Sequence, residues 1–111
     1  GMERKFPDIP EEYLPDFIRG CFDGNGSIML LKNNRVNSAF TCGSKPFLDS
    51  LLEILKKYAG VSGGSYDLSS VSLRFGTKDT IKIGQYIYST ESNLFLKRKK
   101  DKFDILLSKE R

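Results

Sequence analysis

The apolar residues of this chain change their spacing along the sequence, and these changes restrict the folds that it can adopt. A spacing of three and four residues, typical of an amphipathic helix, gives way to alternation, typical of a half-buried strand, and the same switch occurs again further along. The predicted order is helix, hairpin, helix, hairpin, helix, helix within 111 residues. Two such helix-and-hairpin units predict an α+β fold, with a four-stranded antiparallel sheet and the helices on one face.

Prolines separate a lead-in from the domain. Pro7 and Pro10 disfavour helix in the residues that precede them, so residues 1–10 are predicted to be extended. Residues 11–111 are predicted to form a single domain whose first helix begins at Glu11. Its apolar stripe is predicted to consist of Leu14, Phe17, Ile18, Cys21 and Phe22.

Turn and cap residues delimit the other elements. The run 23–26 is expected to end the first helix by supplying positive φ, and Asn33-Asn34 is predicted to form a tight turn. Ser44 is the predicted N-cap of the second helix, which stops at Gly60. The remaining predicted elements are strands over 27–32, 35–42, 63–69 and 70–76, a short helix from Thr77 or Asp79 through Ile87, and a basic helix over 94–109.

The two faces of the predicted sheet differ in chemistry. The inward face is predicted to carry Val36, Ser38, Phe40, Cys42, Val71, Leu73 and Phe75. The outward face is predicted to be rich in hydrogen-bond donors and poor in acids, with Arg35, Asn37, Thr41, Ser70, Ser72 and Arg74. Such a face can form hydrogen bonds with a partner, and it is equally compatible with an ordinary solvated sheet surface. Met29 and Leu31 fall on the outward face too, unless the register is shifted by one residue.

Composition excludes several classes of site. Histidine is absent and there are two cysteines, which excludes His-based catalytic dyads, HExxH metal sites and zinc centres with four Cys/His ligands. Two thiols in a chain of this size are typical of a reducing compartment, so a cytoplasmic location is expected. The longest apolar run, 28–31, is far shorter than the roughly 20 residues of a membrane span, so no membrane partner is expected.

The net charge of +4 is unevenly placed. Residues 97–111 hold seven Lys/Arg and three acids, which accounts for the whole excess. A basic end after an acidic beginning indicates a polar surface divided by sign, and a solvated basic helix is the alternative interpretation.

The most specific motif lies at the end of the first predicted helix. The stretch 17–26 (FIRGCFDGNG) resembles the signature of the LAGLIDADG homing endonucleases, the enzymes of intron and intein mobility. Ile18 takes the place of the opening Leu, Gly20 that of the helix-packing Gly, and Asp23 and Asn25 those of the two Asp residues. The order of elements resembles the family's αββαββα half with a further helix, so the resemblance covers about the whole chain.

The resemblance implies a magnesium site at the foot of the motif helix. There the family places a carboxylate and a backbone carbonyl on shared Mg²⁺, at the positions of Asn25 and Gly24 here. Ser44, in a stretch similar to the family's strand-to-helix corner, and Lys99, in a stretch similar to its active-site lysine segment, are the other implied catalytic residues. Because Asn25 carries no charge, a symmetric dimer lacks two negative charges at this site, and weakened or lost cleavage is expected.

The resemblance also implies a partner, double-stranded DNA, bound by a homodimer. Gly20 allows two motif helices to approach closely, and Ile18 and Cys21 are the other expected dimer-interface residues. The outward sheet face is expected in the major groove, where Arg reads guanine and Asn reads adenine. The residues expected to contact DNA are Lys32, Arg35, Asn37, Thr41, Arg74, Lys97, Arg98 and Lys100.

Other functions compete with site-specific DNA binding. One is an active magnesium-dependent nuclease in which Asn25 suffices. Another is a non-catalytic regulator or maturase-like domain that holds DNA or RNA. The last is a protein-interaction domain, which predicts no salt-dependent DNA affinity.

Overall fold

The computed structural model describes residues 5–42 and 44–89. Its elements confirm the α+β class and the predicted order as far as the short helix that ends at Ile87. The predicted helix over 94–109 lies outside the described residues. No helix within the described part of the chain is long and apolar enough to cross a bilayer. A 3-10 turn at Glu11–Tyr13 is followed by α1 Leu14–Asn25, β1 Gly26–Leu30, β2 Val36–Thr41, α2 Lys45–Ile54 with a π-helical turn Leu55–Ala59, β3 Ser65–Asp67, β4 Ser72–Phe75 and α3 Thr77–Ile87.

The strands form one antiparallel sheet in the order β1-β2-β4-β3. Each hairpin keeps its two strands adjacent, and β2 pairs with β4, so the hairpins lie side by side. Ser38 on β2 lies opposite Ile28 on β1 and Phe75 on β4, which fixes the register of the three strands. Because side chains alternate along a strand, this register places the apolar side chains together.

The core lies between one sheet face and the helices. Phe40 on β2 packs against Phe22 of α1 with ring centroids 5.3 Å apart, and Leu48 of α2 joins the same buried cluster. The opposite face, which carries Met29, Asn37, Thr41 and Arg74, is called the open face below. The predicted division of β2 and β4 into two faces is thus confirmed.

Turn and cap chemistry follows the sequence at three points. Asn33 and Asn34 have φ values of 63° and 60°, as a type I′ hairpin turn requires. The Ser44 hydroxyl accepts a hydrogen bond from the Phe47 N–H at 3.3 Å and caps α2. Gly60 ends the helix in the left-handed region, with φ of 80°.

The end of α1 differs from the prediction. The helix continues through Asn25 and passes directly into β1, with Gly26 at φ −104°, so no positive φ is used there. A Cβ atom at Gly26 would lie 2.3 Å from the Phe22 ring carbon Cδ1 and 2.6 Å from the Phe22 carbonyl oxygen. Glycine is therefore required at this corner because helix and strand approach closely.

The buried stripe of α1 is also rotated relative to the prediction. Phe17 and Cys21 are half-buried, whereas Pro15 and Arg19 are buried. Arg19 is only 1% exposed and its Nη1 donates to the Ile87 carbonyl at 2.8 Å, near the end of α3. A cation at a helix C-terminus is favourable, and this contact ties α1 to α3.

Candidate nucleic-acid interface

The open face brings together three of the residues predicted to contact DNA. Thr41 and Arg74 are exposed and Asn37 is half-buried. Ala39 lies between them and pairs with Arg74 across the strands. Ala39 is itself buried, so the neighbouring side chains cover it.

The β1–β2 turn carries two further predicted contacts. Lys32 and Arg35 flank the Asn-Asn turn and are both exposed. The Arg35 carbonyl accepts from the Leu31 N–H at 2.8 Å, which closes the hairpin. Two cations therefore lie at one end of the open face, whereas Lys97, Arg98 and Lys100 lie outside the described residues.

An acid also lies on the open face, against the expectation of a face poor in acids. Asp67 Oδ2 accepts from Arg74 Nη2 at 3.0 Å. Asp67 Oδ1 accepts from the Ser69 hydroxyl at 2.6 Å and from the Ser69 N–H at 3.1 Å. The Ser69 hydroxyl bond, followed by weaker contributions that include Arg74, lowers the pKa of Asp67. The carboxylate is thus held in its charged form and in one orientation.

Sequence reasoning missed Asp67 because the short strand 65–67 had not been assigned a face. The pairing of this strand with β4 is what identifies its outward residues: Asp67 lies opposite Ser72, and Ser65 lies opposite Arg74. Residues opposite one another in an antiparallel pair share a face. Once β4 is placed, the alternation of β3 puts Asp67 beside Arg74.

Hydroxyl groups link the strands at the other end of this surface. The Ser72 hydroxyl lies 3.0 Å from that of Thr41 and 2.8 Å from that of Ser70. Ser72 is buried although its side chain belongs to the open face. Thr41 therefore presents a hydroxyl that is already oriented by a neighbour.

The motif helix exposes small residues along one side. Gly20 and Gly24, one turn apart, are both exposed, and apart from the adjacent residues and the nearby backbone of α1 itself, a Cβ atom at either would meet nothing within 4 Å. Cys21 is half-buried at the border of this side. Ile18 is fully buried in the core, so its side chain does not lie at the surface where a dimer contact was expected.

The structure places three of the four implied catalytic and metal-binding residues. Gly24 and Asn25 are exposed at the end of α1, and Ser44 is buried with its hydroxyl used as a helix cap, so the structure gives Ser44 a structural role. Lys99 lies outside the described residues. Within residues 5–42 and 44–89, no group of three or more His, Cys, Asp or Glu side chains could hold a metal ion.

A magnesium ion fits poorly to the two donors that the resemblance assigns to it at the end of α1. The Gly24 carbonyl and the Asn25 amide are both neutral, whereas Mg²⁺ is bound in proteins through carboxylates together with phosphates and water. No hydrolytic step is derived from this arrangement. What the described residues do supply is an array of hydrogen-bond donors and acceptors on the open face.

Comparison with known proteins found no relative. The chain matches no family model, and searches of curated proteins and of solved structures found no match. The resemblance to the LAGLIDADG family rests on the motif and on the order of elements. Function is therefore inferred from the residues of the chain itself.

Proposed function

We propose that this chain is a LAGLIDADG-like domain that binds duplex DNA at specific sites as a homodimer, with little or no cleavage. The observation that carries the proposal is the placement of the helices against one sheet face, while Asn37, Thr41 and Arg74 occupy the other. A motif of this type leads into the edge strand of the same sheet. The combination of this motif with a polar open face is the reason to prefer DNA over a protein partner.

The chemistry of the open face suits the major groove. Arg pairs with the O6 and N7 atoms of guanine and Asn with the N6 and N7 atoms of adenine, each through two hydrogen bonds. Arg74 and Asn37 supply these two side chains on neighbouring strands. Lys32 and Arg35 extend the polar surface at the hairpin, and cations there also contact phosphates.

The homodimer is proposed to form through α1, at the side that carries Gly20 and Gly24. Replacement of Gly20 by alanine fills open space in the monomer, and the better helix propensity stabilises the monomer by about 1 kcal/mol. Across a two-fold contact, the same methyl groups would hold the two helices apart. We expect Gly20→Ala to raise the melting temperature at low concentration and to weaken the dimer in sedimentation equilibrium. An unchanged dimer constant would contradict this interface.

Cleavage is expected to be weak because Asn25 brings no charge to the end of α1. This neutrality favours, as the second candidate, a non-catalytic regulator or maturase-like domain with an RNA partner. The two differ in ligand, so binding to duplex DNA and to structured RNA should be compared at matched salt. Tighter binding to structured RNA would favour the second candidate.

The experiment that tests DNA binding is selection from randomised duplexes at moderate salt with calcium present. We expect enrichment of a long, roughly palindromic site by the wild-type chain. Arg74→Ala is expected to lose preference at one position of each half-site. Lys78→Ala removes an equal charge from α3 and should leave the enriched sequence unchanged. A folded wild-type protein without enrichment and without salt-dependent affinity would overturn the proposal.

A further inference from the structure

We propose that Asp67 determines specificity by holding Arg74 in the conformation in which its guanidinium reads a guanine. The inference rests on the proposed function, since it requires DNA on the open face. It adds a positioning residue that neither the motif nor the composition indicates. The ligand feature it names is one guanine in each half-site, recognised through O6 and N7.

The contact with Asp67 uses one of the two Nη groups of Arg74. A guanidinium has five N–H donors in a planar fork, and the contact to Asp67 engages the Nη2 group at 3.0 Å. The Arg74 side chain is 52% exposed and that of Asp67 is 33% exposed. About half of the Arg74 side chain is thus open to solvent while its Nη2 group is held by Asp67.

The carboxylate that holds Arg74 is itself anchored. Ser69 donates both its N–H and its hydroxyl to Oδ1, while Oδ2 receives Arg74. Each oxygen of Asp67 therefore has its own partner, and the side chain cannot rotate without breaking these contacts. An arginine fixed before binding loses less conformational freedom when it forms two bonds to a base.

The charge balance favours base reading over phosphate binding for this arginine. A carboxylate on a DNA-facing surface repels phosphates, so Asp67 lowers sequence-independent affinity. Repulsive elements of this kind raise discrimination between partners. An exposed ion pair contributes little to the stability of a fold, so stability does not account for the pairing of Asp67 with Arg74.

The experiment repeats the selection from randomised duplexes with wild-type protein, Asp67→Asn, Ser69→Ala and Arg74→Lys. We expect the wild type to enrich a guanine whose preference Arg74→Lys weakens, because an ammonium lacks the rigid planar fork with which a guanidinium meets O6 and N7. Asp67→Asn should lower the preference for that guanine roughly fivefold, a part of what one paired contact contributes, and leave other positions unchanged. Ser69→Ala should give a smaller loss at the same position, without any change in charge.

The control for charge is Glu53→Gln, which removes an exposed carboxylate from α2. Asp67→Asn should change a base preference, whereas Glu53→Gln, which removes the same charge from the helix side of the sheet, should leave every base preference unchanged. An enriched site whose guanine preference survives Asp67→Asn and Ser69→Ala would overturn the inference and leave the proposed function intact. An enriched site without an Arg74-dependent guanine would overturn it as well. If the wild type enriches nothing, the proposed function itself fails.

Discussion

A buried pair of hydroxyl groups joins the sheet to α3, and its energy can be worked from the structure. The Ser38 and Thr80 hydroxyl oxygens lie 2.7 Å apart, and the two residues are 1% and 0% exposed. Thr80 also approaches the Phe75 carbonyl at 3.4 Å, a weaker contact. Water cannot replace either partner at this depth, so each hydroxyl depends on the other.

The expected effects of single and double substitutions follow from this dependence. Thr80→Val keeps the shape of the side chain and leaves the Ser38 hydroxyl without its partner, at a cost of about 1–3 kcal/mol. Ser38→Ala leaves the Thr80 hydroxyl with only the long contact to Phe75, so its cost falls in the lower part of that range. The double variant removes both polar groups and leaves neither orphaned. Its cost should fall short of the sum of the two single costs by about 1 kcal/mol.

The assay is urea unfolding followed by far-ultraviolet circular dichroism, since the chain has no tryptophan. Free energies of unfolding for wild type, both single variants and the double variant complete a double-mutant cycle. Ser27→Ala on β1 is the control, because its exposed hydroxyl lies on the open face. Its effect should stay within about 0.5 kcal/mol. Strictly additive single effects would refute the reasoning, since they would mean that the two hydroxyls do not interact.

Three further changes test other parts of the structure. Gly26→Ala places a methyl group against the Phe22 ring and carbonyl, so the free energy of unfolding should fall by roughly 1–3 kcal/mol. The urea midpoint should fall with it, and an unchanged midpoint would contradict the close approach. Burial and the hydrogen bond to Asp49 raise the pKa of Tyr66 from 10.0 to about 12, so its stabilising contribution is complete below pH 10 and is lost towards pH 12. Tyr66→Phe should make the loss of stability over this pH range shallower, and an identical pH profile would count against it. Asn25→Asp restores a carboxylate at the end of α1 and should confer magnesium-dependent cleavage of the selected duplex, whereas an intact duplex would show that the change does not rebuild the site.

The elements and the sheet faces could be predicted because they depend on local spacing. The switch from helical spacing to alternation located both hairpins, and the alternation within 36–41 identified which side chains face the helices. Caps and turns were predictable for the same reason. Ser44, Gly60 and the Asn33-Asn34 pair affect only the backbone of residues next to them or a few positions away. The strands are shorter than predicted because pairing, rather than spacing, sets their ends.

The predictions of burial were wrong where the position of a side chain depends on a partner that is distant in the sequence. Arg19 lies outside the predicted apolar stripe of α1, yet it is buried, with its guanidinium bonded to the Ile87 carbonyl at the end of α3 and to Asp16. The spacing of Pro15, Ile18, Arg19 and Phe22 is as helical as the predicted stripe, so periodicity alone allowed both choices. Only the position of α3 decides between them, and no local pattern contains that position.

The open face shows the same limit with a functional consequence. Alternation placed Arg74 on the outward face and the resemblance made it a candidate for base reading, but its conformation depends on Asp67, which belongs to another strand. Strand pairing joins the two, and the turn between the strands adds Ser69, which fixes the carboxylate. A residue type at an exposed strand position thus predicts what a side chain can recognise. Its cross-strand neighbours decide how firmly it is held in place to do so, and therefore how sharply one base is preferred over another.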